Sequence, residues 1–267
     1  MSTLDFITEL FCRVDDMIGE APSIHKHSQA SLYPSEVVTL GLLFAIKGVG
    51  NRAFYRWIER DYHSLFPLLP ERTRLFRLFA THKEWTEQFL AEPTILGVAD
   101  TYGIELIHPY REGRSPKQIG KKGFSAHRWI VGGKLGMVLN KWGLVAEWDC
   151  HTANVYDVAF HPMIKQFEEE MVVLTDHGFY SRFGNPTNMK VCARGEWNER
   201  MMIETVLSML HTVCHLKHMA HRVWRYFEAR LAFCMAAFNL LAQWSGPPYL
   251  YPDEAGNTHL SIAQFSL

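Results

Sequence analysis

The first third of the chain shows apolar residues at helical spacing. Between Leu4 and Ile18 they recur every three or four positions, which buries one face of an α-helix. Pro34 predicts the start of a second helix, because proline suits a first helical turn, and Gly48 predicts its end. A third helix is predicted from Arg52 to Tyr62. Residues 1–93 are therefore predicted to form a small all-α N-terminal domain.

After Pro93 the pattern changes to short apolar runs, which are typical of buried strands. Strands are predicted at 94–100, 129–139, 144–148, 171–176 and 190–193. Helical patterns follow from Asn154 or Asp157 to about 170, at 198–216 and at 221–244. This order predicts an α/β domain over 94–245, in which helices pack on a central sheet. The remaining residues, 246–267, are predicted to be a C-terminal tail.

The composition is that of a protein with a substantial core: 48% of the residues are apolar and 21% are charged. The longest apolar run, Leu231 to Ala242, is too short to cross a bilayer and contains Asn239, so no membrane contact is predicted. No secretory signal precedes Asp5. The five cysteines are odd in number and include no CxxC pair, which favours reduced thiols and a cytoplasmic location.

Two aspartates end predicted buried strands. If the strands are neighbours, Asp100 and Asp176 emerge at one sheet edge, where α/β sheets place ligands. Like charges at that distance need a cation between them, and Mg²⁺ prefers oxygen ligands. Glu204, on the following helix, would be a third carboxylate. A simpler interpretation is also open, because a strand-terminal Asp often caps a turn and an ion pair with Arg200 explains Glu204.

One stretch of the chain resembles a family signature, which is a more specific observation than the positions of the three carboxylates. Residues 197–211 are similar to the Y-x2-R-x3-E-x6-K signature of bacterial insertion-sequence DDE transposases. Arg200 and Glu204 match the signature, whereas Trp197 replaces its Tyr and His211 replaces its Lys. Other stretches resemble blocks of the same family in the same order: 98–101 and 174–180 resemble the two Asp blocks, 151–157 the T-P-A-N-x-H-D stretch, and 227–240 the closing helix.

The resemblance implies an RNase H-like fold, a mixed sheet flanked by helices. It implies Mg²⁺, with Mn²⁺ as a substitute, held by Asp100, Asp176 and Glu204. The implied activity is two-metal-ion cleavage and strand transfer at insertion-sequence ends. The implied partners are double-stranded DNA, at the terminal inverted repeats and at the target, and a second copy of the chain in a homodimer on DNA. Arg200 would contact phosphate, with Trp197 and His211 near the scissile bond.

Charge is nearly balanced, with 27 Lys and Arg against 28 Asp and Glu, so contact with DNA would need a local basic patch. Seven basic residues follow the first predicted strand and are the predicted phosphate contacts: Arg111, Arg114, Lys117, Lys121, Lys122, Arg128 and Lys134. A solvated basic loop is the alternative. A second cluster, Arg72, Arg74 and Arg77, is a candidate for reading the inverted repeats within a helix-turn-helix-like bundle.

A row of histidines, His211, His215, His218 and His221, stands beside Cys214 on the helical pattern. One helix face rarely supplies a closed tetrahedral zinc site, so a surface or DNA-facing stripe is favoured. Two rival functions stay open besides the transposase. One is a stand-alone RNase H-like nuclease. The other is an inactive DNA-binding protein derived from a transposase, which Trp197 and His211 favour.

Overall fold

The N-terminal third is helical in the computed structural model, which describes residues 1–19, 24–125, 128–193, 200–245, 262–265 and 267. The side chains of Arg200 and Ala263 are outside this description. The helices are α1 (Thr3–Gly19), α2 (Pro34–Lys47), α3 (Asn51–Asp61) and α4 (Arg72–Thr81), followed by a 3₁₀ helix at Lys83–Phe89. The helical prediction for residues 1–93 is confirmed.

These helices share a core with the long C-terminal helix α7 (Trp224–Trp244). Nearly every residue of α2 is buried, and α2, α4 and the 3₁₀ helix at 83–89 all contact α7. One cluster of buried side chains includes Leu10 of α1, Leu42 of α2 and Phe233 of α7. The boundary predicted at residue 93 thus separates helices from strands along the sequence, while the helices on both sides of the sheet segment share one core.

A six-stranded mixed sheet fills the middle of the chain. Its strands are β1 (Leu96–Ile107), β2 (Lys121–Ser125), β3 (Arg128–Asn140), β4 (Val145–Thr152), β5 (Val172–Thr175) and β6 (Met189–Val191). The order is β2-β3-β1-β5-β6, with β4 also paired to β3. The pairs β1–β3, β2–β3 and β3–β4 are antiparallel, whereas β1–β5 and β5–β6 are parallel. The α/β prediction, a mixed sheet flanked by helices, is confirmed at this level.

The two faces of the sheet are covered by different elements. Val98 and Leu135 belong to the large cluster that also contains residues of α6 (Arg200–Val213) and α7. Ala99 and Val138 face the other way and pack with Phe160 and the short helix α5 (His161–Lys165). This alternation along β1 and β3 is the period of two expected of strands.

A buried asparagine ties α7 to the sheet. Asn239 is fully buried, and its Oδ1 accepts a hydrogen bond from the backbone nitrogen of Val145 at 2.8 Å. Its Nδ2 donates to the backbone oxygens of Val145 and Phe89, each at 2.8 Å. β4 pairs with β3 along one of its sides, and the side chain of Asn239 satisfies backbone groups of Val145 that β3 does not. Asn239 therefore fixes how the helical layer meets the sheet.

Several elements differ from the prediction. β1 extends to Ile107 instead of ending at 100, because β3 pairs with it along its whole length. β2 was not predicted. The helix predicted at 157–170 is a 3₁₀ turn at Asp157–Phe160 followed by α5, which ends at Lys165. α6 ends at Val213 because His215 takes a left-handed conformation with φ 52°.

Within the described ranges, no single helix is long and apolar enough to cross a membrane. The pair α2 and α3 passes the same test of length and composition together, but the two helices are bent by 118° at their junction.

Candidate functional site

Asp100 lies within β1, and Asp176 directly follows the adjacent parallel strand β5. β1 and β5 pair from Leu96 with Val172 to Val98 with Leu174. The same register, continued by two residues, sets Asp100 opposite Asp176, whose backbone is still extended. Both aspartates therefore stand at the same edge of the sheet, where β1 and β5 pair. The condition set by the sequence, that the two strands are neighbours, is met.

Both aspartates are half-buried and bond locally. Oδ1 of Asp100 accepts from the backbone nitrogen of Thr101 at 2.7 Å. Oδ1 of Asp176 accepts from the backbone nitrogen of Gly178 at 2.9 Å and so caps the 3₁₀ turn His177–Phe179. The turn-capping interpretation considered from the sequence is therefore correct for Asp176. Capping occupies one carboxylate oxygen and does not prevent the other from meeting a ligand.

A third carboxylate, Asp157, lies close to Asp176. A methyl group placed on Gly178 would overlap Oδ2 of Asp157 and would lie 3.0 Å from Oδ1 of Asp176. The two oxygens are therefore no further apart than the sum of those two short distances. A larger residue at position 178 would require the Asp157 carboxylate to move, which gives Gly178 a steric role.

Asp157 is held by a polar network on the face opposite to Asp100. Its Oδ1 accepts from Oγ1 of Thr101 at 2.8 Å and from Nζ of Lys134 at 2.9 Å. The same Nζ donates to the backbone oxygen of Val155 at 2.7 Å. Because Thr101 adjoins Asp100 and Gly178 adjoins Asp176, Asp157 connects the two strand ends that carry the predicted site. The sequence signal for this network was Lys134 itself, a charged residue inside an apolar strand.

The structure contradicts the predicted contact between Lys134 and DNA. Its residue exposure is 9%, and its ammonium is used by Asp157 and Val155. A buried, bonded ammonium cannot reach a DNA backbone. The prediction was wrong because the side chain of Lys134 is turned into the fold, where Asp157 and Val155 bind its ammonium.

Glu204 is exposed and lies in the first half of α6. His211, seven residues later and so on the same side of the helix, packs its ring 4.8 Å from that of Tyr102 on β1. That side of α6 therefore faces the strand that carries Asp100. Among the described residues, however, no group of three or more His, Cys, Asp and Glu side chains is placed to hold a metal ion. The strand register sets Asp100 opposite Asp176, and Glu204 does not belong to a three-ligand group among the described residues.

Two of the predicted DNA-contacting residues cannot be placed. Trp197 lies outside the described residues, and of Arg200 only the backbone, at the start of α6, is described. The third residue of that signature, His211, is half-buried. Burial, with smaller contributions from Lys217 and His218, lowers the pKa of His211 to about 4. His211 is therefore neutral at pH 7 and does not supply the charge of the lysine that it replaces.

The other six predicted phosphate contacts are exposed: Arg111, Arg114, Lys117, Lys121, Lys122 and Arg128. The last three lie on β2 and β3 and not in a loop. Two of the six form surface ion pairs, Lys122 with Glu112 at 3.0 Å and Arg128 with Glu105 at 3.2 Å. Arg72, Arg74 and Arg77 are also exposed, at the start of α4.

An aromatic pair that was not predicted from the sequence lies among these exposed basic residues. Phe124 and Trp129 are directly opposite on β2 and β3, more than half exposed, with ring centroids 5.5 Å apart. The ammonium of Lys122 lies 5.6 Å from the Trp129 ring centroid. Exposed aromatic rings beside cations are suited to stacking on nucleobases. The sequence contained one signal of this pair, since Lys122 and Phe124 are two positions apart and therefore share a face of the strand.

The histidine row does not form one face. His215 has a left-handed backbone and follows the end of α6, so the helix no longer sets the spacing of His218 and His221. His218 is exposed, whereas the other three are half-buried. Burial lowers the pKa of His215, and burial with a smaller contribution from Arg230 lowers that of His221 to about 4. The prediction of a surface stripe was wrong because the chain turns at His215.

Comparison of the chain with protein-family models, with curated proteins and with solved structures finds no match. The resemblance to insertion-sequence DDE transposases therefore stays a prediction that depends on the ordered blocks of residues. The structure adds two geometric observations. Asp100 lies opposite Asp176 in the register of β1 and β5, and Asp157 lies beside Asp176.

Proposed function

We propose that the chain is a DDE transposase of RNase H-like fold that cleaves and joins DNA at insertion-sequence ends. The observation that carries the proposal is the parallel register of β1 and β5, which sets Asp100 opposite Asp176. The mixed sheet flanked by helices supports it, since this is the architecture that the resemblance implies. The expected substrate is double-stranded DNA at terminal inverted repeats.

The carboxylate pair fits a divalent metal ion. Two like charges on neighbouring strands, roughly 5 Å apart at the backbone, repel each other unless a cation lies between them. Carboxylate oxygens are the donors that Mg²⁺ and Mn²⁺ prefer. Asp100 and Asp176 would hold the ion, which when bound neutralises phosphate charge and activates a water or a 3′-hydroxyl.

The chain's own residues set the geometry of the pair. Thr101 and Gly178 each donate a backbone hydrogen bond to one oxygen of an aspartate, which fixes the carboxylate rotation. Asp157 adds negative charge next to Asp176 and is itself held by Lys134. Phosphoryl transfer mainly requires that the reactants are positioned and that the phosphate charge is neutralised. These carboxylates therefore suit the reaction, which needs no nucleophilic side chain from the protein.

DNA would be bound by the surface formed by β2 and the loop before it. Five of the six exposed cations named above lie there, and the sixth, Arg128, lies on the adjacent strand β3. The Phe124–Trp129 pair offers rings for stacking. Because phosphate contacts release counterions, each lysine or arginine removed should lower the salt dependence of binding by about 0.9 in log–log slope.

A nicking assay tests the proposed function. The substrate is a duplex that carries the short inverted repeats flanking the coding sequence, with Mg²⁺ present. We expect wild-type chain and the exposed control Asp16→Asn to nick at the repeat end, and Asp176→Asn to show no cleavage. Cleavage that survives Asp176→Asn would show that the assigned site is not the catalytic one. Joining of the cut end to target DNA separates a transposase from a stand-alone nuclease.

A second candidate is a non-catalytic DNA-binding protein derived from a transposase. Two observations favour it: the described side chains include no three-ligand group, and His211 is uncharged at pH 7. This candidate predicts end-specific binding without cleavage in either Mg²⁺ or Mn²⁺. A single turnover by the wild-type chain in the same assay excludes it.

A further inference from the structure

A cavity of about 390 Å³ lies between the α2–α3 turn and the start of α7. Residues 48–51 line one side and residues 218–223 the other, with Arg230 contributed by α7. Its volume is within the range of small-molecule sites, roughly 300–1,000 Å³. No carboxylate lines it, whereas His218, His221, Arg222 and Arg230 do. The lining therefore favours an anionic ligand.

Arg230 is a buried cation that the described carboxylates do not neutralise. Its exposure is 5%, and its guanidinium lies 4.0 Å from the ring centroid of Phe44. Nη2 donates to the backbone oxygen of Ala45 at 3.3 Å, while Nε is buried and has no hydrogen-bond partner among the described residues. Burying a charge without an opposite charge is costly, so an anion in the cavity would offset that cost.

The N-terminus of α3 provides a second, independent source of positive potential. Gly50 is its N-cap, with an extended backbone and no side-chain cap, and no acidic residue lies in the first turn. The first backbone N–H groups of a helix lack intrahelical partners and carry partial positive charge, which makes an uncapped N-terminus an anion site. Gly48 to Asn51 line the cavity, so this N-terminus borders it.

The turn that presents these groups is held in place. Gly48 has φ 66°, and a methyl group there would overlap the imidazole of His215. On the opposite wall, His221 has a buried Nδ1 with no partner among the described side chains and backbone. A neutral imidazole can donate to an oxyanion without adding charge. The walls are therefore formed before a ligand arrives.

We propose that this cavity binds a phosphate group, either free phosphate or a phosphate of a DNA backbone. Arg230 and Arg222 would supply charge, and the amides of α3 with His221 would supply hydrogen bonds. The proposal does not depend on the proposed cleavage activity, because it uses none of the residues assigned to that activity.

Thermal unfolding of the full chain in inorganic phosphate tests the proposal, with sodium chloride of equal ionic strength as reference. We expect a saturable increase in Tm of roughly 2–4 °C. Gly50→Asp should abolish this response while folding at least as stably without phosphate, because Asp caps α3 and a side chain at Gly50 meets open space. Gly50→Ala, which leaves the amides uncapped, should keep it. Loss of the response in Gly50→Ala as well, or a full response in Gly50→Asp, would overturn the proposal.

A second variant pair checks the charge. Arg222→Gln should shift the phosphate titration midpoint several-fold upward, while Arg182→Gln, an exposed arginine elsewhere, should leave it unchanged. Equal midpoints for both variants, or no saturable response in the wild-type chain, would contradict the proposal. Repeating the titration with a short DNA duplex bound separates the sources: a lost response assigns the cavity to a DNA phosphate, and a retained one assigns it to free phosphate.

Discussion

Lys134 and Arg230 are both buried cations, and their surroundings differ. Lys134 has a carboxylate at 2.9 Å and a carbonyl oxygen at 2.7 Å, so its charge is matched inside the fold. Arg230 has one carbonyl oxygen, an aromatic ring and two thiols nearby. A buried cation that is paired with a carboxylate orders the structure around it, as Lys134 does by holding Asp157. A buried cation without a carboxylate partner, beside a cavity, leaves room for an anionic ligand. The two regions therefore suggest different roles for the same kind of charge.

Lys134→Met should give the largest change in stability. It leaves the partly buried carboxylate of Asp157 without its cation, and breaking a buried pair on one side costs about 3 kcal/mol. Urea unfolding measures this loss. The matched control is Lys122→Met, which breaks an exposed pair with Glu112 and should cost less than about 1 kcal/mol. Equal losses in the two variants would mean that Lys134 is not a structural partner of Asp157.

Asp157→Asn should lower nicking by roughly 10- to 100-fold, the effect typical of groups that orient metal ligands. The amide keeps an acceptor for Thr101 and Lys134 but removes the negative charge next to Asp176. The unfolding free energy should therefore fall less than in Lys134→Met. Nicking rates measured beside Asp149→Asn, an exposed carboxylate on β4, check the effect, and equal rates would remove Asp157 from the site.

Arg230→Met should stay within about 1 kcal/mol of the wild-type unfolding free energy. Methionine fills similar space, and removing an unmatched buried charge removes its desolvation cost, which offsets the lost contacts with Phe44 and Ala45. The same urea experiment applies. A loss as large as that of Lys134→Met would show that Arg230 is a structural cation after all, and the contrast between the two regions would disappear.

His221 should make the unfolding free energy depend on pH. The pKa of His221 is lowered from 6.5 to about 4 by burial and by Arg230, so the unfolded chain binds a proton more readily than the folded chain does between those values. Stability from this group is complete above pH 6.5 and is lost as pH falls toward 4. His221→Gln should therefore lose less unfolding free energy between pH 7 and pH 5 than wild type does. His63→Gln, at an exposed position, should match wild type; an identical loss in all three chains would refute the assignment.

Helix positions and the strand-end aspartates could be read from the sequence because each is a local signal. Apolar spacing predicts α1 and α2, and an apolar run that ends in Asp predicts the ends near Asp100 and Asp176. The parallel pairing that makes them neighbours is a long-range property. No local pattern specifies that Val98 lies opposite Leu174, so adjacency could only be stated as a condition.

Other features depended on tertiary structure. Lys134 was predicted to contact DNA, since nothing in its neighbours shows that Asp157 pairs with it. The histidine row was predicted as one face, because the sequence does not reveal that His215 ends the helical path. The continuation of β1 beyond residue 100 could have been predicted: Tyr102, Ile104 and Leu106 are apolar at a spacing of two.

Binding of Mn²⁺ to the full chain, followed by electron paramagnetic resonance without DNA, tests the central claim that Asp100 and Asp176 form one cation-binding pair. We expect wild type and Asp16→Asn to bind equally, and Asp100→Asn and Asp176→Asn each to weaken binding by at least about tenfold. Equal Mn²⁺ affinity in all four chains would contradict the claim.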